Sequence, residues 1–143
     1  MTVLVTGVFD VLHEEHIAFL QQAKALGGRL LVGLESDVRV KKIKGPNRPI
    51  NNQDLRQQRI VELGLADEVF ILPEQFDSPD DHRALLQKLK PDILAVSSHT
   101  AHIDKKSRLM QEIGGKLEIV HRHNPAVSST NLISKGKSGG GAD

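Results

Sequence analysis

Two histidines three residues apart, His13 and His16, are the first residues in this chain whose types and spacing could do chemistry. At a helix start, that spacing puts both imidazoles on one face. A pair of imidazoles beside a phosphate can donate hydrogen bonds to it, and nearby anionic oxygens favour the charged rings. The pair closes the stretch Thr6-Gly7-Val8-Phe9-Asp10-Val11-Leu12-His13-Glu14-Glu15-His16, which follows the apolar run Val3-Leu4-Val5. Backbone N–H groups and the helix dipole at such a strand-to-helix turn favour an anion. Gly7 would let that anion approach the backbone closely. Two other readings stand beside this one: either ring caps or lines the surface, or the pair binds a metal. The zinc-protease signature needs histidines four apart, and no third ligand is evident.

Three further stretches carry matching residue types. Between Arg39 and Arg48, five of ten residues are basic (Arg39, Lys41, Lys42, Lys44, Arg48) and none is acidic. With Gly45, Pro46 and Pro49 as breakers, the run reads as a loop, either a solvated charge run or a clamp for a polyanion. Ser128-Ser129-Thr130, before Asn131-Leu132-Ile133, is either a helix cap or a phosphate cradle of hydroxyls and N–H groups. Ser97-Ser98-His99-Thr100-Ala101-His102 follows an apolar run and reads either as an exposed loop or as a face of the site. His121, Arg122 and His123 also lie past a strand end, whereas His82, on a helix, reads as surface.

The elements that must position these groups follow from patterning. Apolar runs at 3–5, 30–34, 69–72, 93–96 and 117–120 alternate with helical stretches at about 14–26, 51–63, 78–90 and 102–113. Ser78-Pro79-Asp80-Asp81 is a strong helix start. The predicted fold is α/β: a Rossmann-like, doubly wound, parallel five-stranded sheet with helices on both faces. Ligands in such sheets bind beyond the carboxyl ends of the strands, where strand order reverses. That points to residues 6–16, 35–50, 97–102 and 121–131. Residues 1–133 are expected to form one domain and 134–143, nearly devoid of apolar side chains, a disordered tail.

Composition narrows the classes. With 19 basic and 18 acidic residues among 143, there is no global charge argument for nucleic acid or an anionic membrane. Without tryptophan or tyrosine, base-stacking platforms are not expected. The absence of cysteine excludes disulfides, zinc fingers and a thiol nucleophile, and fits the cytoplasm. No signal peptide and no membrane span are read from the apolar runs.

Gly7-Val8-Phe9-Asp10-Val11-Leu12-His13-Glu14-Glu15-His16 resembles the G-x-F-D-x-x-H-x-G-H motif of the cytidylyltransferase-like nucleotidyltransferases, with Glu15 in place of the motif glycine. This superfamily includes glycerol-3-phosphate cytidylyltransferase, archaeal-type FAD synthase and the adenylyltransferase domain of ADP-heptose synthase. Lys44-Gly45-Pro46-Asn47-Arg48-Pro49 resembles the family's Lys-Gly-x-x-Arg-Pro stretch, and Ser128 to Ile133 its closing hydroxyl motif. The resemblance spans about residues 3–133. It implies transfer of AMP or CMP from ATP or CTP to a small phosphorylated or hydroxyl acceptor, with pyrophosphate released and Mg²⁺ arriving on the triphosphate. It further implies that His13, His16, Lys44 and Arg56 are catalytic. Thr6, Gly7, Val8, Phe9, Asp10, Glu15, Ser128, Ser129 and Thr130 would hold the nucleotide, with no metal ligand from protein alone. Asp37, Arg48, Ser97, Ser98 and His99 would face the acceptor. The usual family glycine and aspartate are missing at 97–102, which implies an unusual acceptor. Glu15 also leaves open a nucleotide-binding module with reduced or no turnover, and a homodimer is compatible with the family.

Overall fold

The computed structural model describes residues 1–121. Strands β1 (Thr2–Gly7), β2 (Arg29–Leu34), β3 (Glu68–Ile71), β4 (Ile93–Ser97) and β5 (Lys116–His121) form one parallel sheet in the order β3-β2-β1-β4-β5. Helices α1 (Glu14–Ala25), α2 (Asp37–Lys44), α3 (Gln53–Glu62), α4 (Pro79–Leu89) and α5 (Ile103–Glu112) connect them. The predicted architecture is therefore the one observed. Arg122, His123, Ser128, Ser129, Thr130 and the predicted tail lie outside the described residues.

The central strand shows why these runs are continuously apolar. Val3, Leu4 and Val5 have no exposed surface, because helices cover both faces. Val3 and Val5 pack with Phe19, Leu20 and Ala23 of α1 and Ile60 of α3. Leu4 points the other way, to Leu86 of α4 and to Leu109 and Met110 of α5. Register aligns Leu4 with Leu31 on one side and Leu94 on the other, so three leucines make one row beneath α4 and α5. Arg83 of α4 reaches Glu112 of α5 at 2.8 Å and joins the two helices.

Helix ends follow local chemistry. Ser78 Oγ accepts the Asp81 N–H at 3.1 Å, with Pro79 in the first turn, at the predicted helix start; the Asp81 carboxylate also accepts the Ser78 N–H at 3.1 Å, which makes a reciprocal capping box. Asn52 Oδ1 caps α3 through the Leu55 N–H. The expected loop at 39–48 needs correction, because residues 37–44 are helical. Ser36 supplies the cap, accepting the Arg39 N–H at 3.1 Å, and Asp37 sits in the first turn. Lys41, Lys42 and Lys44 occupy the last turn, where the helix dipole favours cations. The breakers act only from Gly45, whose φ of 110° ends the helix.

The order of strands fixes where a ligand can sit. From β1 the chain builds outward through β2 to β3; α4 then carries it back across to β4, on the other side of β1. Order reverses between β1 and β4, which opens a crevice beyond their carboxyl ends.

Candidate functional site

That crevice is a cleft, partly enclosed and partly open to solvent. Thr6, Gly7 and Val8 from the end of β1 line it, with His13, Glu15 and His16 from the start of α1 and Ser97 and His99 from beyond β4. Two of the stretches singled out in the sequence therefore converge on one cavity.

The turn between β1 and α1 is built around Phe9. Its backbone is left-handed, φ 49°, which for a side chain of this size costs about 1 kcal/mol. The buried ring slides under Gly7, where a Cβ would lie 2.8 Å from it. Glycine at 7 thus makes room for Phe9, a reason the sequence did not show. The Phe9 ring also meets His16 edge-on at 5.1 Å and stacks on Phe19 at 6.5 Å. His16 is buried by this packing and stacks against His13, with ring centroids 3.9 Å apart.

His13 has a second duty: it is the cap of α1. Its Nδ1 accepts the Glu15 N–H at 3.2 Å. An imidazole that accepts at Nδ1 carries its proton on Nε2. In this geometry the His13 ring's proton therefore sits on Nε2. Glu15, at the place of the family glycine, forms part of the cleft wall and does not fill the cavity.

Asp10 and Arg56 are both buried and spend their polar groups within the chain. Asp10 is buried, and its carboxylate accepts from Arg48 Nε at 3.0 Å, Ile50 N–H at 2.8 Å and Asn51 N–H at 2.8 Å. Its carbonyl accepts from Asn51 Nδ2. Burial pushes the Asp10 carboxyl up, but the Asn51 and Ile50 N–H groups and Arg48 together outweigh it and hold the carboxyl below its ordinary value. Asp10 thus fixes the turn at 48–51. Arg56 has no exposed surface. It donates to the carbonyls of Asn51 (3.0 Å), Val8 (3.0 Å) and Glu35 (2.8 Å), and to Asp37 Oδ1 at 2.9 Å. In this structure its guanidinium ties loops together and touches no cavity, which replaces the expected phosphate contact. The helical register of α3, with Arg56 and Ile60 four apart on its inward face, carried that signal.

The remaining expected residues are distributed as follows. Asp37 and Arg48 border a separate shallow groove with Lys41, Lys42 and Asn52. Lys44 ends α2 next to Ile43, which reaches the main cleft. Ser97 Oγ and Thr100 Oγ1 lie 3.5 Å apart across the turn that also carries Ser98 and His99.

The sequence reading missed the far lobe of the cleft, which lies on the α4–α5 side of the sheet. Phe76, His82, Leu85, Leu86, Lys106 and Leu109 line it, and Glu35 borders it from the end of β2. His82, expected at the surface, is half-buried and packs on Phe76 at 4.1 Å. Its spacing with Leu85, Leu86 and Leu89 placed it on the inward face of α4; Lys106 shares a face with Leu109, Met110 and Ile113 in the same way. Burial, with the nearby charges of Lys106 and Arg39, pushes the His82 pKa down. Burial also lowers Lys106, against a small opposing pull from Glu35. Glu35 is raised by burial despite Arg39, Lys106 and Arg56 nearby.

Among the described residues no group of three or more His, Asp or Glu side chains could hold a metal ion. None of their helices is long and apolar enough to cross a membrane.

A parallel sheet with paired imidazoles at the first helix start and a cleft at its switch point defines a nucleotidyltransferase framework. The chain belongs to the cytidylyltransferase-like family, whose model matches residues 4–135. It is similar to the bifunctional protein HldE of Pseudomonas savastanoi pv. phaseolicola, 38% identical over 120 residues, covering 82% of this chain and 24% of that protein. It is 33% identical over 141 residues to HldE of Yersinia pestis, covering 97% of this chain and 28% of that one. The chain thus spans about a quarter of the length of these curated relatives. Among solved structures, the lipopolysaccharide core biosynthesis protein from Thermoplasma volcanium is similar at a TM-score of 0.68 and 26% identity, covering 87% of this chain and 96% of that one. Pantoate-β-alanine ligase from Francisella tularensis, at a TM-score of 0.56 and 17% identity over 93% of this chain and 65% of that one, shares the fold.

Proposed function

We propose that this nucleotidyltransferase passes AMP or CMP from ATP or CTP to a small phosphorylated acceptor, or to a hydroxyl, and releases pyrophosphate. The observation that carries this reading is the stacked His13–His16 pair at the helix start, walling a cleft between the ends of β1 and β4. An acceptor oxygen attacks the α-phosphorus, a new P–O bond forms, and the bond to the bridging oxygen of pyrophosphate breaks. The reaction needs in-line placement and neutralisation of charge more than covalent help. The His13 Nε2–H would donate to a phosphoryl oxygen, and His16, held by Phe9, would flank the reacting phosphorus. Lys44 and the hydroxyls Ser128, Ser129 and Thr130 are proposed to hold the β- and γ-phosphates. Thr6, Gly7 and Val8 would pass beside the nucleotide, while Ser97, Ser98 and His99 would meet the acceptor. Mg²⁺ would enter with the triphosphate and keep most of its water ligands. The protein is proposed to work in the cytoplasm, away from nucleic acid and membrane, alone or as a homodimer.

Pyrophosphate release from ATP or CTP, measured with Mg²⁺ and a panel of phosphorylated acceptors, tests the reading. His16→Ala should lower turnover by about 10²-fold or more while the fold is kept. Near-normal turnover in that variant defeats the assignment. Nucleotide binding with no release from any acceptor would reduce the protein to a binding module. Glu15→Gly would then separate decay, by a gain of activity, from adaptation, by a loss.

A further inference from the structure

The far lobe of the cleft brings two half-buried basic side chains, Lys106 and His82, onto largely apolar walls. Lys106, half-buried in α5, makes no side-chain hydrogen bond or ion pair among the described residues. His82 stands close enough for their charges to oppose each other. Arg39 lies nearby without lining the cavity. Its Nε pairs with Glu35 Oε1 at 3.8 Å, beyond hydrogen-bond reach, and both atoms are buried without a hydrogen-bond partner. Glu35 is the carboxylate that acts on Lys106, and its charged form is itself disfavoured there by burial; Asp81 and Asp77 act on His82. A half-buried ammonium without a hydrogen-bond acceptor among the described residues, beside a half-buried imidazole on a cavity wall, is an unfavourable arrangement that an anion would complete.

The walls add a second constraint. Phe76, Leu85, Leu86 and Leu109 are carbon surfaces. A sugar with many hydroxyls would lose its hydrogen bonds to water against them and gain few in return. A carbon body would lose nothing and would bury apolar area.

We infer that this lobe is the acceptor subsite, that Lys106 with His82 binds the acceptor's phosphate, and that the lobe selects phosphate esters with an apolar body over polyhydroxylated ones. The inference rests on the nucleotidyl-transfer reading for the word acceptor, but the anion site itself does not depend on it. The lobe lies on the face of the sheet opposite the α1 packing. A phosphate held there would approach the histidine pair from the α4–α5 side, and in-line transfer would then have the pyrophosphate leave opposite it.

The test is a binding titration on the full chain, first saturated with the non-hydrolysable triphosphate α,β-methylene-ATP or its CTP counterpart. The probes are inorganic phosphate, glycerol 3-phosphate and phenyl phosphate. All three should bind alongside the nucleotide analogue, phenyl phosphate at least tenfold more tightly than glycerol 3-phosphate. Lys106→Met should weaken each probe by at least tenfold and leave analogue affinity unchanged. Unchanged probe binding in Lys106→Met overturns the inference, as does displacement of the analogue by the probes. Equal affinity for phenyl phosphate and glycerol 3-phosphate overturns the selectivity. If neither analogue binds, the nucleotidyl-transfer reading fails, and the same titration of the free protein and Lys106→Met still decides the anion site. If Lys106→Met weakens the fold, His82→Gln and the His82 imidazole nitrogen shifts of the unaltered protein replace it: the shifts should move on addition of phosphate, and an unmoved ring counts against the site.

Discussion

Arg56 and Lys106 are both basic side chains withdrawn from solvent, and their surroundings are opposites. Arg56 spends its donors on three carbonyls and the Asp37 carboxylate, with no surface left. Lys106 spends none through its side chain among the described residues and borders an open cavity. The same difference separates the regions around them. At residues 48–56, polar groups meet polar groups of the same chain and the backbone is held in place. In the far lobe of the cleft, polar groups face space. A saturated network specifies a shape, whereas an unsaturated one beside a cavity is a demand that a ligand can meet. Chemistry-bearing residue types therefore do not by themselves mark a site; what matters is whether the fold has already satisfied them.

Substitutions can break or sharpen this contrast. The largest effect should come from Arg56→Met, which leaves three carbonyls without a donor and should destabilise the fold by about 3–5 kcal/mol. A urea titration checks this. A variant of native stability that loses only turnover would move Arg56 to the other side of the comparison. Next comes His13→Asn. Asparagine still caps α1 but has no Nε2–H, so turnover should fall about 10²-fold at an unchanged melting temperature. His13→Ala should add a stability loss of about 1 kcal/mol, because the cap goes too.

Asp10→Asn should cost about 1.5–3 kcal/mol, by mismatching donors against donors at the 48–51 turn. It also has a signature in pH. The Asp10 carboxyl lies below its ordinary value of 3.8 in the folded state. Its contribution is thus fully present above that value and is lost as pH falls through the folded-state value. Thermal melts from about pH 5 down to 2 should show a shallower acid limb in Asp10→Asn. The smallest effect is expected from Glu35→Gln. The Glu35 carboxyl lies above its ordinary 4.5, so its contribution is present below that value and is lost as pH rises through the folded-state value. The variant should therefore gain no more than about 1 kcal/mol at pH 7 and nothing near pH 4. A loss at pH 7 would mean that Arg39 and Lys106 need the carboxylate, and would undercut the case for an external anion on Lys106.

The fold was legible because its signals are local. Continuous apolar runs such as Val3-Leu4-Val5 require covering on two faces, and Ser78-Pro79-Asp80-Asp81 states where α4 begins. The histidine pair was legible because helix spacing alone puts both rings on one side. Arg39 to Lys44 misled because basic residues and nearby prolines outweighed the cap at Ser36, one residue ahead of the helix. Asp10 and Arg56 were seen as chemically important, but their partners lie up to 48 residues away, at Asn51 and Val8, and only the folded chain brings them together. His82 and Lys106 were readable from spacing against their leucine neighbours. They were passed over because a charged or ring residue on a helix usually faces solvent.

One consequence of the Asp10 and Arg56 ties concerns the cavity. They bind the loops after β1 and β2 to the turn before α3, so these three segments behave as a single stiff piece. The Arg83–Glu112 bridge makes α4 and α5 a second piece. The cavity therefore lies between two separately braced walls, Val8 and Glu35 on one and Leu85 and Lys106 on the other.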